Sequence, residues 1–282
     1  MFKLSIENND GQKIDLTNNK DCAVIGIDGL NPPSANILTS QIAMNDGTRY
    51  NSAVVNQRNI VIRLRLLNNV EKMRILLYKY FRIKQYCKIY FKNDSRDVYC
   101  EGYVETFEND RFVLNNQVDI SIICPSPWFK ELNEIVFDVS QVIDMFEFPF
   151  AIETEGMEFS VLDKNSLTSV INSGDVETGF LIELYASSEV VNPRVYNAET
   201  HDMIGLNFTM QNGDMVQIST VKGEKYVKLT RAGVTTNIIN HLMKNPVWFQ
   251  VPVGSTDFTY DCTSGNEFLT IKFKGRNLFE GV

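Results

Sequence analysis

Few residues in this 282-residue chain could do chemistry. It has two histidines, His201 and His241, and five cysteines, Cys22, Cys87, Cys100, Cys124 and Cys262. Zinc sites draw His and Cys from short local spacings such as C-x-x-C, and none of these seven residues has such a neighbour, so no metal is expected. A cysteine nucleophile needs a histidine base beside it. Cys124 or Cys262 with either histidine are the pairs on offer, and nothing in the spacing marks one; buried small hydrophobes are the plainer reading. Paired carboxylates suffice for glycoside hydrolysis. They occur as Glu153, Glu155 and Glu158 in IETEGMEF, and as Asp175 and Glu177 in INSGDVETG. At a period of two, Glu153 and Glu155 share a strand face, as do Asp175 and Glu177, which is the pattern of a solvated side. The nucleophile elbow G-x-S-x-G, the phosphate loop G-x-x-x-x-G-K and the dinucleotide G-x-G-x-x-G are all missing. No catalytic residue is assigned, and no cofactor is expected.

The formal charge of -8 argues against a nucleic-acid partner, because phosphate binding wants a basic face. No apolar run approaches the roughly 18 residues of a membrane span. The start, MFKLSIENNDGQ, lacks the apolar core and small-residue cleavage site of a signal peptide. Synthesis in the cytoplasm, with the thiols reduced, is the expectation.

The elements that must carry any function are strands. FKLSIE alternates and QKIDL resumes the alternation after Asp10-Gly11, a hairpin signal because a type I′ turn needs positive φ at both centres. The pattern repeats around Asp46-Gly47, Asn212-Gly213 and Lys222-Gly223. In NIVIRLRLL, Ile60, Ile62, Leu64 and Leu66 fall on one face. The period changes once: Val70, Met73, Leu77, Tyr80 and Phe81 have helical spacing, with Asn69 as N-cap and Lys79 and Arg82 near the end. NIINHLM reads as a short helix or turn. A strand runs into Cys124 and then meets Pro125, Pro127, Trp128 and Phe129; proline ends a ladder. The predicted fold is mainly β, in two β-rich domains. Residues 1–130 form a sandwich or barrel-like domain with one helix and a long hairpin, and 131–282 form a second sandwich. Pro125, Pro127, Trp128 and Phe129 make the joint, with the two rings wedged into it.

The sharpest local motif is Asn192-Pro193-Arg194 followed by Asn197. It is similar to the sugar-binding motif of galectins, themselves β-sandwiches. The galectin histidine before it is replaced by Val190, and no Trp-x-x-Glu follows, so the aromatic platform for a sugar is absent. What stays is a vestigial sugar-site candidate at Asn192, Arg194 and Asn197, or simply an Asn-Pro turn.

Several segments in order resemble the distal tail protein (Dit) family of long-tailed phages. They are GIDGLNPPSANILTS, RNIVIRLRLL followed by a helix, KIYFKNDSRDVYCEGYVETFE, QVDISIICPSPWFK and, in the second half, VINSGDVETG, NPRVYN, NGDMVQI and the final GSTDFTYDCTSGNEFLTIKFKGRNLFEGV. The resemblance spans nearly the whole chain. It implies a structural virion protein, not an enzyme, at the tail tip. Its N-terminal domain would form a ring, typically a hexamer, and its galectin-like C-terminal domain would project outward. It implies a tail tube protein, a tail-tip or tail-associated lysin protein, and receptor-binding or baseplate proteins as partners, with DNA passing through the ring unrecognised. Glycan adhesion by a carbohydrate-binding module is the alternative. Arg96, Tyr99, Tyr103, Glu105 and Phe107, on an aromatic hairpin over 96–112 that would help close the ring, are the expected intersubunit contacts, since Tyr, Phe and Arg are enriched in interface cores.

Overall fold

The computed structural model describes residues 2–44, 46–109, 116–138, 142–144, 160–162 and 167–282. The chain divides into two compact units, Met1–Leu132 with Leu278–Val282, and Asn133–Asn277. The last five residues therefore lie in the first unit, whereas a single division at 130 assigns them to the second.

The first unit contains β1 (Lys3–Asn8), β2 (Lys13–Asp15), β3 (Cys22–Asp28), β4 (Ala35–Gln41), β5 (Thr48–Val55), β6 (Arg58–Leu66), α1 (Val70–Tyr80), β7 (Tyr86–Lys92), β8 (Asp97–Asn109), β9 (Gln117–Cys124) and β10 (Phe129–Glu131). Its main sheet runs β2-β1-β7-β8-β9-β6-β3, with β10 added against β8. Strict alternation builds the core. In β6, Arg58, Ile60, Ile62, Leu64 and Leu66 point inward, and Ile89 and Phe91 of β7 and Ile120 and Ile122 of β9 belong to the same core. The helix covers this core with Met73 and Leu77, and Phe81 follows just past its end.

Two local expectations change. Asn69 holds the N-cap position, in the left-handed region at φ 47°, and its carbonyl accepts from Met73 N–H, but its side chain makes no cap bond; its amide donates to Asp21 instead. At Asp10-Gly11 only Gly11 has positive φ. The Asn8 side chain accepts from the N–H groups of Asp10 and Gln12, which closes the loop without a type I′ turn. The stretch 96–112 is also not a free hairpin. β8 lies inside the sheet, on β7 along its first half and on β9 along its second, with Glu105 bulged out between Val104 and Thr106. Residues 110–112 lie outside the described set.

The second unit contains β11 (Ile135–Asp138), β12 (Val142–Asp144), β13 (Ser160–Leu162), β14 (Thr168–Asn172), β15 (Leu181–Ala186), β16 (Val190–Val191), β17 (Arg194–Asn197), β18 (Met203–Gly205), β19 (Thr209–Met210), β20 (Met215–Ser219), β21 (Tyr226–Arg231), β22 (Val234–Asn237), a 3-10 turn at Ile239–His241, β23 (Gly254–Asp261) and β24 (Leu269–Gly275). A six-stranded sheet, β11-β24-β15-β20-β21-β22, and a four-stranded sheet, β14-β23-β17-β18, share one apolar core. Ile182, Leu184, Val216, Ile218, Ile271 and Phe273 come from the first sheet, and Val170, Val195, Ile204 and Phe258 from the second. This is a β-sandwich. A final strand, β25 (Leu278–Phe279), returns to pair with β10 in the first unit.

Candidate assembly surface

One element of the first unit buries nothing. β4 and β5 pair with each other from Ala35–Val55 to Gln41–Thr48, and every residue of both strands is exposed. Among the described residues they join no other sheet. Cross-strand partners share a face, so Ala35, Ile37, Ala53 and Val55 lie together, continued outward by Thr39 and Tyr50. Ile37 and Tyr50 are 60% and 63% exposed. The opposite face is more polar, with Asn36, Ser40, Arg49 and Ser52 around Leu38 and Val54. A two-stranded hairpin with no third strand and no cover is at best marginally stable in water.

The base of this arm is held firmly. At its start the chain reverses at Gly29, φ 87°, so close to β6 that a Cβ there would collide with the Asn59 carbonyl. At its end, Asn56 N–H donates to the Ser34 carbonyl at 3.0 Å. Between them lies the Arg58 guanidinium, on the core face of β6 and only 3% exposed. It donates to the backbone carbonyls of Gly29, Asn31 (2.7 Å), Pro127 (2.7 Å) and Glu280 (2.6 Å), and stacks over the Phe129 ring at 4.3 Å. Burial lowers its pKa, but an arginine so placed keeps its proton. One cation thus ties together both roots of the arm, the proline-rich exit of β9 and the terminal segment. Val282 N–H adds a bond to the Leu30 carbonyl, and Arg96 donates to Gly281 while lying over Phe279.

Beside the arm's root, β3 ends the sheet. Among the described residues it pairs only with β6, and the register slips between Val24 and Gly26. The bulge turns Ile25 outward, 44% exposed. Phe2, Val24, Ile25, Gly26, Ile27 and Leu30 line an open groove of about 330 Å³ along this edge.

The residues expected at an interface are spread along β8. Tyr99 is nearly buried, against Tyr90 at 5.9 Å, and Phe107 packs edge-on to Tyr78 of α1 at 4.8 Å. Tyr103 is half exposed beside Tyr86 at 6.0 Å, and Glu105 is exposed, accepting from Ser121 at 2.9 Å. Near them Glu101 accepts from Tyr86 (2.7 Å) and Lys130 (2.6 Å). Burial works to raise its pKa, yet Lys130, Tyr86 and Lys88 together hold it below the ordinary value. At the proline-rich exit, Phe129 is fully buried in the first unit's core, edge-on to Phe91 at 5.5 Å. Trp128 is half-buried, Pro125 is exposed, and Pro127 gives its carbonyl to Arg58.

The candidate sugar residues already have partners. Asn192 sits at φ 53° and its amide donates to Thr263; Arg194 pairs with Asp261 at 2.7 Å; Asn197 accepts from the N–H groups of Glu199 and Thr200 and so shapes a turn. Asp175 and Glu177 lie in a loop rather than on a strand face, ordered by Asn172, whose amide donates to the carbonyls of Val176 and Val251. Glu177 pairs with Lys222. Glu153, Glu155 and Glu158 lie outside the described residues. His241 contacts Asn207 and Phe208, while Cys262 contacts Ser264 and Asn266. The five thiols are free and buried. Burial pushes Cys87 up to about 12 and Cys22 up to about 11. Among the described residues no group of three His, Cys, Asp or Glu could hold a metal ion, and no helix is long and apolar enough to cross a membrane.

Residues 173–276 match the family described as siphovirus-type tail component, C-terminal domain. No curated relative matches the sequence. Among solved structures, the chain is similar to the Dit protein of phage SPP1, described as a paradigm of the hub adsorption apparatus in phages infecting Gram-positive hosts. That likeness has TM-score 0.68 and 16% identity, and covers 97% of this chain and 98% of that one. It is also similar to a chain of the phage P2 baseplate in its calcium-activated conformation, with TM-score 0.57, 12% identity and 100% of both chains covered. The strontium form gives TM-score 0.53, 11% identity, and 97% and 98% coverage. Residues 173–276, in the second unit, thus match the siphovirus-type tail component domain, and the chain as a whole shares the fold of the SPP1 Dit protein.

Proposed function

We propose that this protein is a distal tail hub: a structural component that closes into a ring at the tail tip and joins the tail tube to the tip and receptor-binding apparatus. The family resemblance makes six the expected ring order. The observation that carries the reading is the β4–β5 arm, an apolar hairpin on a rigid base that its own chain leaves uncovered. Such an element persists when a neighbouring chain supplies what it lacks. Tyr103 and Glu105 on β8, and Arg96 just before its start, are proposed as further contacts, while Tyr99 and Phe107 serve chiefly to hold β7 and α1. The sandwich of the second unit is read as galectin-like and outward-facing, engaging baseplate or receptor-binding proteins. Glycan adhesion is less well supported, because Arg194 and Asn197 already serve Asp261 and a turn. The partners are a tail tube protein and a tail-tip or tail-associated lysin protein, and DNA passes through the opening without specific contacts. The protein acts through assembly rather than catalysis, in the virion tail.

Light scattering on the purified protein, with negative-stain images, tests this. The expected result is a closed ring with a mass near six times 32.2 kDa. A monomer at every concentration would overturn the ring.

A further inference from the structure

We propose that Cys100 and Cys124 form a redox-active dithiol, a modification site at which hydrogen peroxide closes a disulfide between β8 and the end of β9.

The fold brings the two thiols together through a break in the sheet. On one side β8 changes neighbours: Val98 and Tyr99 pair with β10, and from Tyr103 onward the strand pairs with β9. Cys100–Gly102 lie in the gap between. Continuing the Tyr103–Ile123 register sets Gly102 opposite Cys124 and makes Cys100 its diagonal neighbour on the core face. Two side chains as short as cysteine do not ordinarily meet across a diagonal. Here the position between them has no side chain, and a Cβ on Gly102 would lie 2.8 Å from the Cys124 sulfur. Cys124 lies over that bare backbone, and its thiol hydrogen-bonds the Cys100 sulfur. The Ser126 carbonyl lies 4.0 Å from the Cys100 sulfur. Cys124 is the last residue of β9 and Pro125 follows, so no further ladder fixes the backbone there while the sulfurs close to bonding distance.

The pair is also polarised. The hydrogen bond from Cys124 and the Arg58 cation favour the Cys100 thiolate against the opposing effect of burial, and the same bond with burial holds Cys124 as the thiol. An attacking thiolate beside a resolving thiol is the arrangement of a peroxide-sensitive cysteine. The other cysteines lack it. Cys22 faces the Leu16 carbonyl, Cys262 faces the Ser264 carbonyl, and burial keeps Cys87, the ladder partner of Gly102, protonated. Both sulfurs of the pair are almost fully buried, which selects an oxidant as small as hydrogen peroxide.

The chemistry takes two steps. The Cys100 thiolate attacks one peroxide oxygen; an S–O bond forms, the O–O bond breaks, and the departing hydroxide takes up the proton Cys100 gave to solvent, making one water. The Cys124 sulfur then attacks the sulfenic sulfur; S–S forms, S–O breaks, and the oxygen leaves as a second water with the Cys124 proton. Two thiols are oxidised and one peroxide is reduced. The bond ties the exit of β9 to β8 beside the Arg58 clamp on Pro127. On the tail reading, it forms once the virion leaves the reducing cytoplasm.

Peptide mapping tests the site. The folded full-length protein is treated with hydrogen peroxide, and the remaining thiols are alkylated in urea. The expected result is a Cys100–Cys124 linkage, with alkylated thiols falling from five to three as the two in the bond are lost. With peroxide and dimedone, Cys124→Ser is expected to be labelled at Cys100, and Cys100→Ser to remain unlabelled at Cys124. Thermal melting checks that both variants fold, and mapping of the unaltered chain decides the site even where they do not. Five thiols retained, a linkage that includes Cys87, or a Cys100–Cys124 linkage formed only in urea would each overturn the site. Equal labelling of Cys124 in Cys100→Ser would overturn the assignment of Cys100 as the attacking sulfur.

Discussion

Arg58 is the residue on which the first unit's geometry turns, and its contacts explain why it must be arginine. Its partners are four backbone carbonyls from distant parts of the chain. Carbonyls do not neutralise a cation as a carboxylate does, so this buried charge is stabilised by hydrogen bonds in a fixed planar fork. Lysine offers a point charge on a flexible stem and cannot span the same four acceptors. Arg58→Lys and Arg58→Met are both expected to destabilise the unit, by about 3–5 kcal/mol for loss of a buried charge network. Urea unfolding followed by the first unit's signal measures it, and a change below about 1 kcal/mol would show that water replaces the guanidinium at little cost. The parity of the strand already hints at this role. Arg58 shares its face with Ile60, Ile62, Leu64 and Leu66, and a charged residue on the core side of an apolar alternation must find buried partners. Their identity is not legible, since Glu280 lies 222 positions away in sequence. Asn192, Arg194 and Asn197 show the converse: a local motif is visible in sequence, but the Asp261 that pairs with its arginine comes from another strand.

At the scale of elements, turn chemistry was readable wherever a glycine alone set it. Gly213 and Gly223 both have positive φ, and they divide β19 from β20 and β20 from β21 as the Asn-Gly and Lys-Gly signals imply. The first of these turns also has an electrostatic latch. Asp214 is buried, accepts from the Gln211 N–H at 2.8 Å, and takes the Arg231 guanidinium of β21, Nε at 2.8 Å. The Arg231 hydrogen bonds hold its carboxyl below the ordinary value against the opposing effect of burial. With the folded pKa below the unfolded one, its contribution is complete above the unfolded value near 4 and is lost as pH falls through the folded value. Asp214→Asn is expected to lower stability at pH 7 by about 1–3 kcal/mol. It should also flatten the acid limb of a plot of thermal midpoint against pH; an unchanged limb would mean that other carboxylates set it. Elements misread from sequence share a cause. Residue type alone implies a side-chain cap at Asn69 and positive φ at Asp10, but Asp21 takes the Asn69 amide and the Asn8 side chain sets the turn at Asp10. The arm is the deeper case. The alternation around Asp46-Gly47 signals a hairpin, yet no pattern in the sequence says that the chain itself leaves that hairpin uncovered.

The path of the whole chain makes the second unit an insertion into the first. β10 leads out of the first unit and β25 leads back, and the two are antiparallel partners, Phe129 with Phe279 and Lys130 with Leu278. The exit and return points are therefore neighbours in one ladder, and a short turn could join them. Leu278–Val282 is also integral to the first unit: it carries the Glu280 carbonyl that accepts from Arg58, the Gly281 carbonyl that accepts from Arg96, and the Val282 bond to Leu30 at the root of the arm. Cutting the chain after residue 132 removes all three and leaves the Arg58 cation one acceptor short. Replacing 133–277 by a short Gly-rich turn keeps them. The shortened chain with the turn and the terminal segment is expected to fold with a higher denaturation midpoint than residues 1–132 alone. It should also still assemble, because the arm and its clamp both belong to the first unit. Equilibrium unfolding of the two chains, with light scattering for assembly, separates the claims. Equal midpoints would show that the terminal segment is a passive tail. A folded but monomeric shortened chain would show that the second unit supplies part of the ring contact.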